Sequence, residues 1–258
     1  MNVLDRFRLD GRRALVTGGS RGLGLEMARA LAEAGAAVVV VGREPSRLDQ
    51  AVNDLGVVGQ VDVLVGDLST VDGAVAMCNA ALERFAAIDI LVNNVGGRRV
   101  NEPLEEMALD TWRQLVDLNL NQAVACTKII GGAMLPRGWG RVINVSSISG
   151  RVAIRQMRGR SYETAKAGLT MFTRALAADW APHGVTVNAI APGPFLTDAN
   201  RRWFAEQPEF QSQVESTIPL GRMGDPREIG PLAVFLASEA ASYVTGAEIV
   251  IDGGRTLW

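Results

Sequence analysis

The sequence predicts an α/β fold in which about seven parallel strands form a doubly wound sheet with helices on both faces. Three observations support it. Short apolar runs alternate with longer amphipathic ones along the 258 residues. The short runs are hydrophobic at almost every position, and the first of them leads into a glycine-rich turn. Strands of this kind are buried on both faces, as in parallel sheets covered by helices.

Each strand is predicted from a run of Val, Ile, Leu and Ala that is too short for a typical helix. In chain order, the predicted strands are 14–17, 37–41, 61–65, 88–93, 141–146, 185–190 and 248–251. Residues at nearly every position of these runs are apolar, so neither face of the sheet is expected to meet solvent.

Amphipathic stretches with helical periodicity separate the strands. The predicted helices are 23–34, 46–55, 71–85, 110–135, 161–182 and 226–238. This alternation implies right-handed crossovers between parallel strands. The sequence shows no linker or repeat, so we predict one domain over residues 1–258. The stretch 193–225 looks irregular and is long for a connection, which predicts a flap over a site.

Composition argues against several classes of function. A net charge of −2 does not favour nucleic acid or an anionic membrane, and no apolar run approaches the ~20 residues of a membrane span. His183 is the only histidine, so we expect neither a Ser-His triad nor a metal site. Cys78 and Cys126 lie in different predicted helices, and the charged N-terminus does not resemble a signal peptide. We therefore expect a cytoplasmic location.

A glycine-rich segment, TGGSRGLG at 17–24, follows the first predicted strand and opens the first helix. Glycine lets the backbone approach a ligand closely, and a helix N-terminus offers unpaired N–H groups to an anion. The segment predicts the pyrophosphate-binding turn of a Rossmann-type domain, although its spacing is GxxxGxG rather than GxGxxG. Its predicted contacts with the nucleotide are Gly18, Ser20, Arg21, Gly22, Leu23 and Gly24.

The end of the second predicted strand is expected to lie beside the adenosine ribose of the nucleotide. An acidic residue there would bind the 2′-hydroxyl group, whereas a basic one suits a 2′-phosphate. Here Gly42 is followed by Arg43, and Arg21 in the glycine turn adds a second guanidinium. The sequence therefore favours NADP(H), and Glu44 leaves NAD(H) open.

Tyr162 and Lys166 are four residues apart at the start of a predicted helix and therefore share one face. A free tyrosine has a pKa near ~10, and a neighbouring ammonium group lowers that pKa, whose value nucleotide charge and burial would further set. Ser147 follows the preceding strand, at the edge where open α/β sheets bind ligands. The three residues predict proton transfer at an oxygen atom that Ser147 holds in place.

With these motifs in this order, the chain resembles the single-domain short-chain dehydrogenase/reductase family over nearly its whole length. NNVG at 93–96 is similar to the family's NNAG element, and DLNL, SSISG, NAIAPGPFLT and SEAASYVTGAEIVIDGG match further elements. The resemblance implies further nucleotide contacts near the adenine, after the fourth strand and beside the nicotinamide. These are Asp67, Leu68, Asn94, Val95, Gly96, Tyr162, Lys166, Pro192, Gly193 and Thr197.

The resemblance also implies a reaction, namely hydride transfer between the nicotinamide and a small carbonyl or secondary alcohol substrate. Tyr162 would give or take the proton, Lys166 would lower its pKa and hold the nicotinamide ribose, and Ser147 would stabilise the developing alkoxide. Asn119 would anchor a water that links Lys166 to solvent. The alternative role is to satisfy backbone groups at a helix kink, and the two roles are compatible.

Assembly is implied in the same way. Family members usually pair the two long helices, here 110–135 and 161–182, into dimers or tetramers. The last strand and Trp258 are a candidate second contact, because an exposed terminal tryptophan is costly. A buried role within one chain explains the same residues.

Two departures from the family pattern leave the substrate open. The interval between Ser147 and Tyr162 is about two residues longer than expected, so Ser146 and Ser149 remain alternatives for the catalytic hydroxyl. The loops at the predicted cleft are rich in arginine, which predicts either a basic rim for an anionic substrate or ordinary solvated charge. These arginines are Arg98, Arg99, Arg151, Arg155, Arg158 and Arg160.

The subtype is also open. GGRRVNEPLEEM is similar to gluconate 5-dehydrogenase-type members, whereas PLGRMGDPREIG is shared with 3-oxoacyl-carrier-protein reductases. A sugar-acid dehydrogenase and a 3-oxoacyl-thioester reductase therefore both fit. A nucleotide-sensing protein that has lost catalysis is a different class, and the intact Tyr162 and Lys166 argue against it.

Overall fold

Seven parallel strands form one sheet in the part of the chain that the computed structural model describes, residues 2–154, 157–158, 160–206 and 208–257. The strands are β1 (Arg13–Thr17), β2 (Ala37–Gly42), β3 (Val61–Val65), β4 (Ile90–Asn93), β5 (Gly140–Val145), β6 (Val185–Pro192) and β7 (Glu248–Ile251). Each end lies within two residues of its predicted position.

The strand order is β3-β2-β1-β4-β5-β6-β7, and every neighbouring pair is parallel. The chain reverses its direction of travel across the sheet between β1 and β4. At such a reversal the connections after the two strands diverge and leave a crevice at their carboxyl ends. The predicted doubly wound sheet is confirmed, and the crevice is where its ligand is expected.

Helices cover both faces of the sheet. They are α1 (Gly22–Glu33), α2 (Pro45–Leu55), α3 (Val71–Arg84), α4 (Leu109–Val116), α5 (Gln122–Cys126), α6 (Ser161–Trp180), α7 (Asp198–Glu206), α8 (Pro208–Glu215) and α9 (Gly230–Ala237). Two π-helical segments, Asp117–Asn121 and Thr127–Gly131, flank α5. The predicted helix 110–135 is therefore a run of α and π turns that closes in the 3₁₀ turn Gly132–Arg137.

Two apolar cores lie on opposite faces of the sheet. Successive strand residues alternate between them: Val16 and Val40 belong to the core beneath α1, α2 and α9. Leu15 and Val39 belong to the core beneath α3 and α5. All four side chains are fully buried or nearly so, which explains why the strand sequences show no polar alternation.

The stretch 193–225 differs from its prediction as irregular chain, because it contains α7 and α8. Both helices are short and rich in polar residues, so their apolar positions are too few to show a helical period. A small cluster of Phe204, Ile218 and Met223, separate from the two main cores, holds the stretch together.

In residues 2–154, 157–158, 160–206 and 208–257, no helix is long and apolar enough to cross a membrane. In the same ranges, no group of three His, Cys, Asp or Glu side chains is placed to hold a metal. Cys78 and Cys126 are free and buried. Hydrogen bonding to Cys78, together with burial, raises the pKa of the Cys126 thiol. Arg155 and Trp258, to which predictions were attached, lie outside the described residues.

Candidate active site

The glycine turn is held against the end of β4 by Asn94. The Asn94 side-chain amide donates to the carbonyl oxygens of Thr17 at 3.0 Å and Gly18 at 3.2 Å. A Cβ on Gly24 would lie 2.5 Å from Asn94 Nδ2 and closer still to the Gly18 carbonyl oxygen. Only glycine fits there, and Gly18 itself has a φ of +62°.

The start of α1 is open to an anion. Its N-cap residue, Arg21, makes no side-chain capping hydrogen bond to the first turn. Unpaired N–H groups and the positive end of the helix dipole therefore face the glycine turn. A backbone cradle that excludes any Cβ, at a helix N-terminus, fits the pyrophosphate of a dinucleotide.

Basic side chains cluster at the end of β2. Arg43 Nη1 lies 3.8 Å from Asp67 Oδ1, and both side chains are about half exposed, at 51% and 56%. The backbone N–H of Ser69 is the main cause that lowers the pKa of Asp67, and Arg43 adds to the effect. Burial, followed by the positive charges of nearby arginines that include Arg43, lowers the pKa of Arg21.

Glu44, the residue that left NAD(H) open, is engaged elsewhere. Its carboxylate pairs with Arg47 Nε at 2.6 Å, one helical turn further on. The end of β2 therefore presents an excess of guanidinium groups, with one carboxylate already neutralised. This electrostatic setting suits a phosphate better than a neutral ribose hydroxyl.

Ser147, Tyr162 and Lys166 come together where β5 meets α6. The Ser147 hydroxyl forms a hydrogen bond that lowers the pKa of the Tyr162 phenol. Lys166 Nζ lies 5.9 Å from the centre of the Tyr162 ring and donates to the Val145 carbonyl oxygen at 2.7 Å. The cluster joins a hydroxyl, a phenol and an amine at the carboxyl edge of the sheet.

The two alternative serines are placed differently. Ser146 Oγ donates to the Lys166 carbonyl oxygen at 3.0 Å and bonds to Thr170 Oγ1 at 2.8 Å, so it serves the backbone of α6. Ser149 is buried, and its backbone N–H donates to Ser147 Oγ at 3.1 Å. The geometry favours Ser147 as the hydroxyl beside the phenol.

Comparison with known proteins agrees with this arrangement. Residues 18–256 match a family model described as "Enoyl-(Acyl carrier protein) reductase". The chain is 42% identical to galactitol 2-dehydrogenase (L-tagatose-forming) of Cereibacter sphaeroides, with 100% of both chains covered. The chain belongs to the short-chain dehydrogenase/reductase family. It is an oxidoreductase that transfers a hydride between a nicotinamide nucleotide and a carbonyl or secondary alcohol.

Two further relatives differ in their named substrates. The chain is 37% identical to a 3-oxoacyl-[acyl-carrier-protein] reductase of Vibrio cholerae, over 97% of this chain and 100% of that one. A solved structure, a gluconate 5-dehydrogenase from Burkholderia cenocepacia in complex with NADP and tartrate, superposes with a TM-score of 0.90. Its sequence is 36% identical to this chain, and the alignment covers 100% of both chains.

In this short-chain dehydrogenase/reductase, burial raises the pKa of Tyr162 above its ordinary value. The hydrogen bond with Ser147 and the positive charge of Arg98 oppose that rise, whereas the negative charge of Glu163 adds to it. Burial also lowers the pKa of Lys166 to about 8. Desolvation therefore outweighs the hydrogen bond and the positive charge that favour the phenolate.

Asn119 lies in the π-helical segment 117–121 and is fully buried. Its side chain accepts from the Gly97 N–H at 2.8 Å and donates to the carbonyl oxygens of Gly97 at 3.1 Å and Leu115 at 2.9 Å. The amide thus anchors the loop after β4 to α4 and satisfies backbone groups, as the second of its two expected roles requires. A Cβ on Gly96 would meet both Asn119 Oδ1 and Lys166 Nζ, so the Gly96 backbone passes between them.

The remaining predicted nucleotide contacts lie around the same crevice. Thr197, before α7, approaches the glycine turn: its Cγ2 is 3.7 Å from the position of a Cβ on Gly22. Gly193 follows β6 and has no room for a side chain, because a Cβ would lie 2.6 Å from that of Asp252. Three others stand at ends of strands or in the turns that follow them: Leu68, Val95 and Pro192. Ser20 Oγ lies beside Gly42 at the end of β2.

Most described arginines of the proposed basic rim are already paired. Arg98 and Arg160 both contact the Glu163 carboxylate, at 2.7 and 3.5 Å. Arg151 pairs with the buried Glu248 at 3.3 Å. Sequence reasoning identified these arginines but gave no signal for their partners, which are distant in sequence or lie within α6. Arg99 and Arg158 are exposed.

Proposed function

We propose that this short-chain dehydrogenase/reductase uses NADP(H) to interconvert a secondary alcohol and a ketone of a polyhydroxylated substrate, with Tyr162 as the proton carrier. The observation that supports it best is the grouping of Ser147, Tyr162 and Lys166 at the carboxyl edge of the sheet. The nucleotide, when bound, supplies or accepts the hydride. The dinucleotide cradle at Gly18 and Gly24 lies beside the same crevice.

The protein's own groups handle the proton and the developing charge. Since burial raises the pKa of Tyr162, its phenol stays protonated at neutral pH and donates to the carbonyl oxygen during reduction. The Ser147 hydroxyl donates a hydrogen bond to the same oxygen and stabilises the alkoxide. Lys166, with a pKa of about 8, would hold the ribose hydroxyls of a bound nucleotide and returns a proton to the tyrosine.

The other contacts follow from the position of each element. Gly18, Ser20, Gly22, Leu23 and Gly24 hold the pyrophosphate, because they form the turn and the start of α1. In a bound nucleotide, Asp67 and Leu68 would hold the adenine, Asn94, Val95 and Gly96 the adjoining ribose, and Pro192, Gly193 and Thr197 the nicotinamide. Residues 193–225 act as the flap over this site.

We assign the NADP(H) preference to Arg43 and Arg21, with NAD(H) as the alternative. Replacing Arg43 with alanine is expected to raise the Kd for NADP about 10- to 100-fold, since an arginine–phosphate contact is worth ~1.5–3 kcal/mol. The Kd for NAD should hardly change. Titration calorimetry of both nucleotides measures the effect, with Arg113→Ala as a control for charge loss on an exposed helix. An unchanged NADP/NAD ratio in Arg43→Ala would refute the assignment.

We propose a sugar alcohol and its ketose as the substrate pair. Arg98, Arg151 and Arg160 pair with carboxylates, which reduces the free positive charge that they can offer to the phosphate of an acyl carrier. The 42% identical relative is named for galactitol and L-tagatose. Exposed Arg99 and Arg158 support a sugar acid as the second candidate.

A substrate panel separates these classes. We expect kcat/KM to be highest for sugar alcohols and ketoses, lower for sugar acids, and lowest for 3-oxoacyl thioesters, with both nicotinamide nucleotides supplied. A 3-oxoacyl thioester that outperforms every sugar alcohol would overturn the substrate assignment while leaving the oxidoreductase class intact.

We further propose a homo-oligomer in a reducing, cytoplasmic compartment. Leu109 on α4 and Met171 on α6 are 71% and 60% exposed. An assembly that buries apolar groups on these helices would remove that surface from water. The two free cysteines agree with a reducing compartment. Sedimentation equilibrium distinguishes a monomer from a dimer or tetramer.

A further inference from the structure

A shielded ion pair stands directly beside the proposed proton carrier. The Arg98 guanidinium donates to both oxygens of Glu163, at 2.7 and 3.2 Å. The two side chains are only 16% and 12% exposed. A two-pronged arginine–carboxylate pair that is shielded from water is stronger and more directional than an exposed one. Glu163 is the residue immediately after Tyr162, so the pair fixes the first turn of α6.

Arg98 also reaches Tyr162 and the loop that precedes it. Its Cζ lies 4.9 Å from the centre of the Tyr162 ring, within the range of a cation–π contact. The same guanidinium donates to the Arg158 carbonyl oxygen at 3.0 Å. The Arg158 N–H in turn donates to Asn101 Oδ1 at 2.7 Å. Arg98 and Asn101 thus hold one residue of the loop before α6, Arg158, through its carbonyl oxygen and its N–H group.

The chain enters α6 through a strained residue. Arg160 has a φ of +55°, a value seen in no other non-glycine residue of the described ranges. Such a conformation costs ~1–3 kcal/mol and persists where neighbouring contacts hold it. The Arg160 guanidinium lies 3.5 Å from Glu163 Oε1, the same carboxylate oxygen that accepts from Arg98. The ion pair therefore stabilises the entry to α6 as well as its first turn.

We propose that Arg98, held by Glu163, is a positioning residue that fixes the Tyr162 ring and favours its phenolate form, with Glu163 acting in the opposite electrostatic sense. This inference rests on the proposed function only in that Tyr162 is taken as the proton carrier. Arg98 lies two residues beyond the NNVG element, and its partner lies 65 residues further along the chain.

The charges that face Tyr162 come from three directions. Arg98 reaches it from the loop after β4, and Glu163 and Lys166 flank it on α6. Arg160 contacts Glu163 from the start of the helix. Ser147, from the end of β5, contributes a neutral hydrogen bond. The positive charge of Arg98 lowers the pKa of Tyr162 and the negative charge of Glu163 raises it, so the two groups have separable and opposite effects.

The chain offers a direct test because it contains only two tyrosines. Tyr243 is fully exposed, so Tyr243→Phe leaves Tyr162 as the sole source of tyrosinate absorbance. In that background, Arg98→Leu is expected to move the alkaline absorbance step up by about one pH unit. Glu163→Gln is expected to move it down. Arg113→Leu, which removes an exposed guanidinium paired with Asp110, should leave it in place.

The same variants have a kinetic counterpart. For alcohol oxidation, kcat/KM should rise with pH, and the midpoint of that rise should move to higher pH in Arg98→Leu and to lower pH in Glu163→Gln. At a fixed pH below the midpoint, kcat/KM of Arg98→Leu should therefore be about tenfold lower than that of wild type. Arg98→Lys keeps the charge but loses the two-pronged hydrogen bond to Glu163, so its midpoint should lie between those of wild type and Arg98→Leu.

The outcomes distinguish this inference from the proposed function. If Arg98 and Glu163 had a purely structural role, the absorbance step would shift in the same direction in both variants or would not shift in either. Either result overturns the inference. If Arg98→Leu does not fold, the downward shift in Glu163→Gln and an upward shift of less than one pH unit in Arg98→Lys decide the matter. Opposite shifts in absorbance combined with full activity of Tyr162→Phe would instead refute the catalytic role of Tyr162 and leave the electrostatic inference standing.

Discussion

Replacing Tyr162 with phenylalanine is expected to lower kcat for carbonyl reduction by about 10²–10⁴-fold, the usual contribution of a positioned general acid. Phenylalanine keeps the ring and its cation–π contact with Arg98. The decrease in kcat therefore measures the contribution of the hydroxyl group alone. The Kd for NADPH, measured by fluorescence, should change little. Tyr243→Phe removes the other, fully exposed tyrosine and is the matched control.

The pH dependence follows from the raised pKa of Tyr162. Reduction needs the protonated phenol, so its rate should hold at neutral pH and fall only as pH rises through that pKa. Oxidation needs the phenolate and should rise over the same interval. A Tyr162→Phe protein that retains wild-type kcat in either direction would refute the role given to this side chain.

Replacing Gly24 with alanine is expected to weaken NADP(H) binding by more than about 100-fold and to lower the free energy of unfolding by ~1–3 kcal/mol, the usual cost of overpacking. The added Cβ would lie 2.5 Å from Asn94 Nδ2 and closer still to the Gly18 carbonyl oxygen. Since Asn94 holds the glycine turn, relief of the clash displaces the turn that forms the nucleotide cradle.

The matched control is Gly132→Ala. A Cβ on Gly132 has no atom within 4 Å, and its φ of −56° suits any residue. That variant should be neutral or slightly stabilising, because alanine loses less conformational entropy than glycine on folding. Chemical denaturation and nucleotide titration measure both variants, and equal behaviour of the two would contradict the cradle geometry.

Much of the fold could be predicted because its signals are local. Each strand is an apolar run such as Val38-Val39-Val40-Val41, and burial on both faces makes such runs stand out. The glycine turn could be predicted for the same reason, since it joins one strand to the next helix. Helices α7 and α8 could not, because both are short and carry few apolar residues.

The proximity of the candidate site residues could be predicted from the sequence, but their interactions could not. Ser147, Tyr162 and Lys166 stand at recognisable places in the chain, and the sheet brings them together. The partners of Asn119 and Arg98 depend on contacts between loops and helices that no local pattern records. The direction of the Tyr162 pKa depends on burial, which is a property of the folded chain. The sequence predicts Arg98 as a candidate substrate ligand, whereas in the structure it pairs with Glu163 and lies beside the Tyr162 ring.

The most direct test of the whole account follows the hydride. The protein is incubated with NADPH that carries transferable deuterium at nicotinamide C4 and with the best ketose of the substrate panel, and the product is analysed by mass spectrometry. We expect deuterium on the new carbinol carbon, in equal amount to the NADPH oxidised, and we expect both signals to be lost in Tyr162→Phe. Conversion of the substrate without deuterium transfer, as in dehydration or epimerisation, would contradict the account.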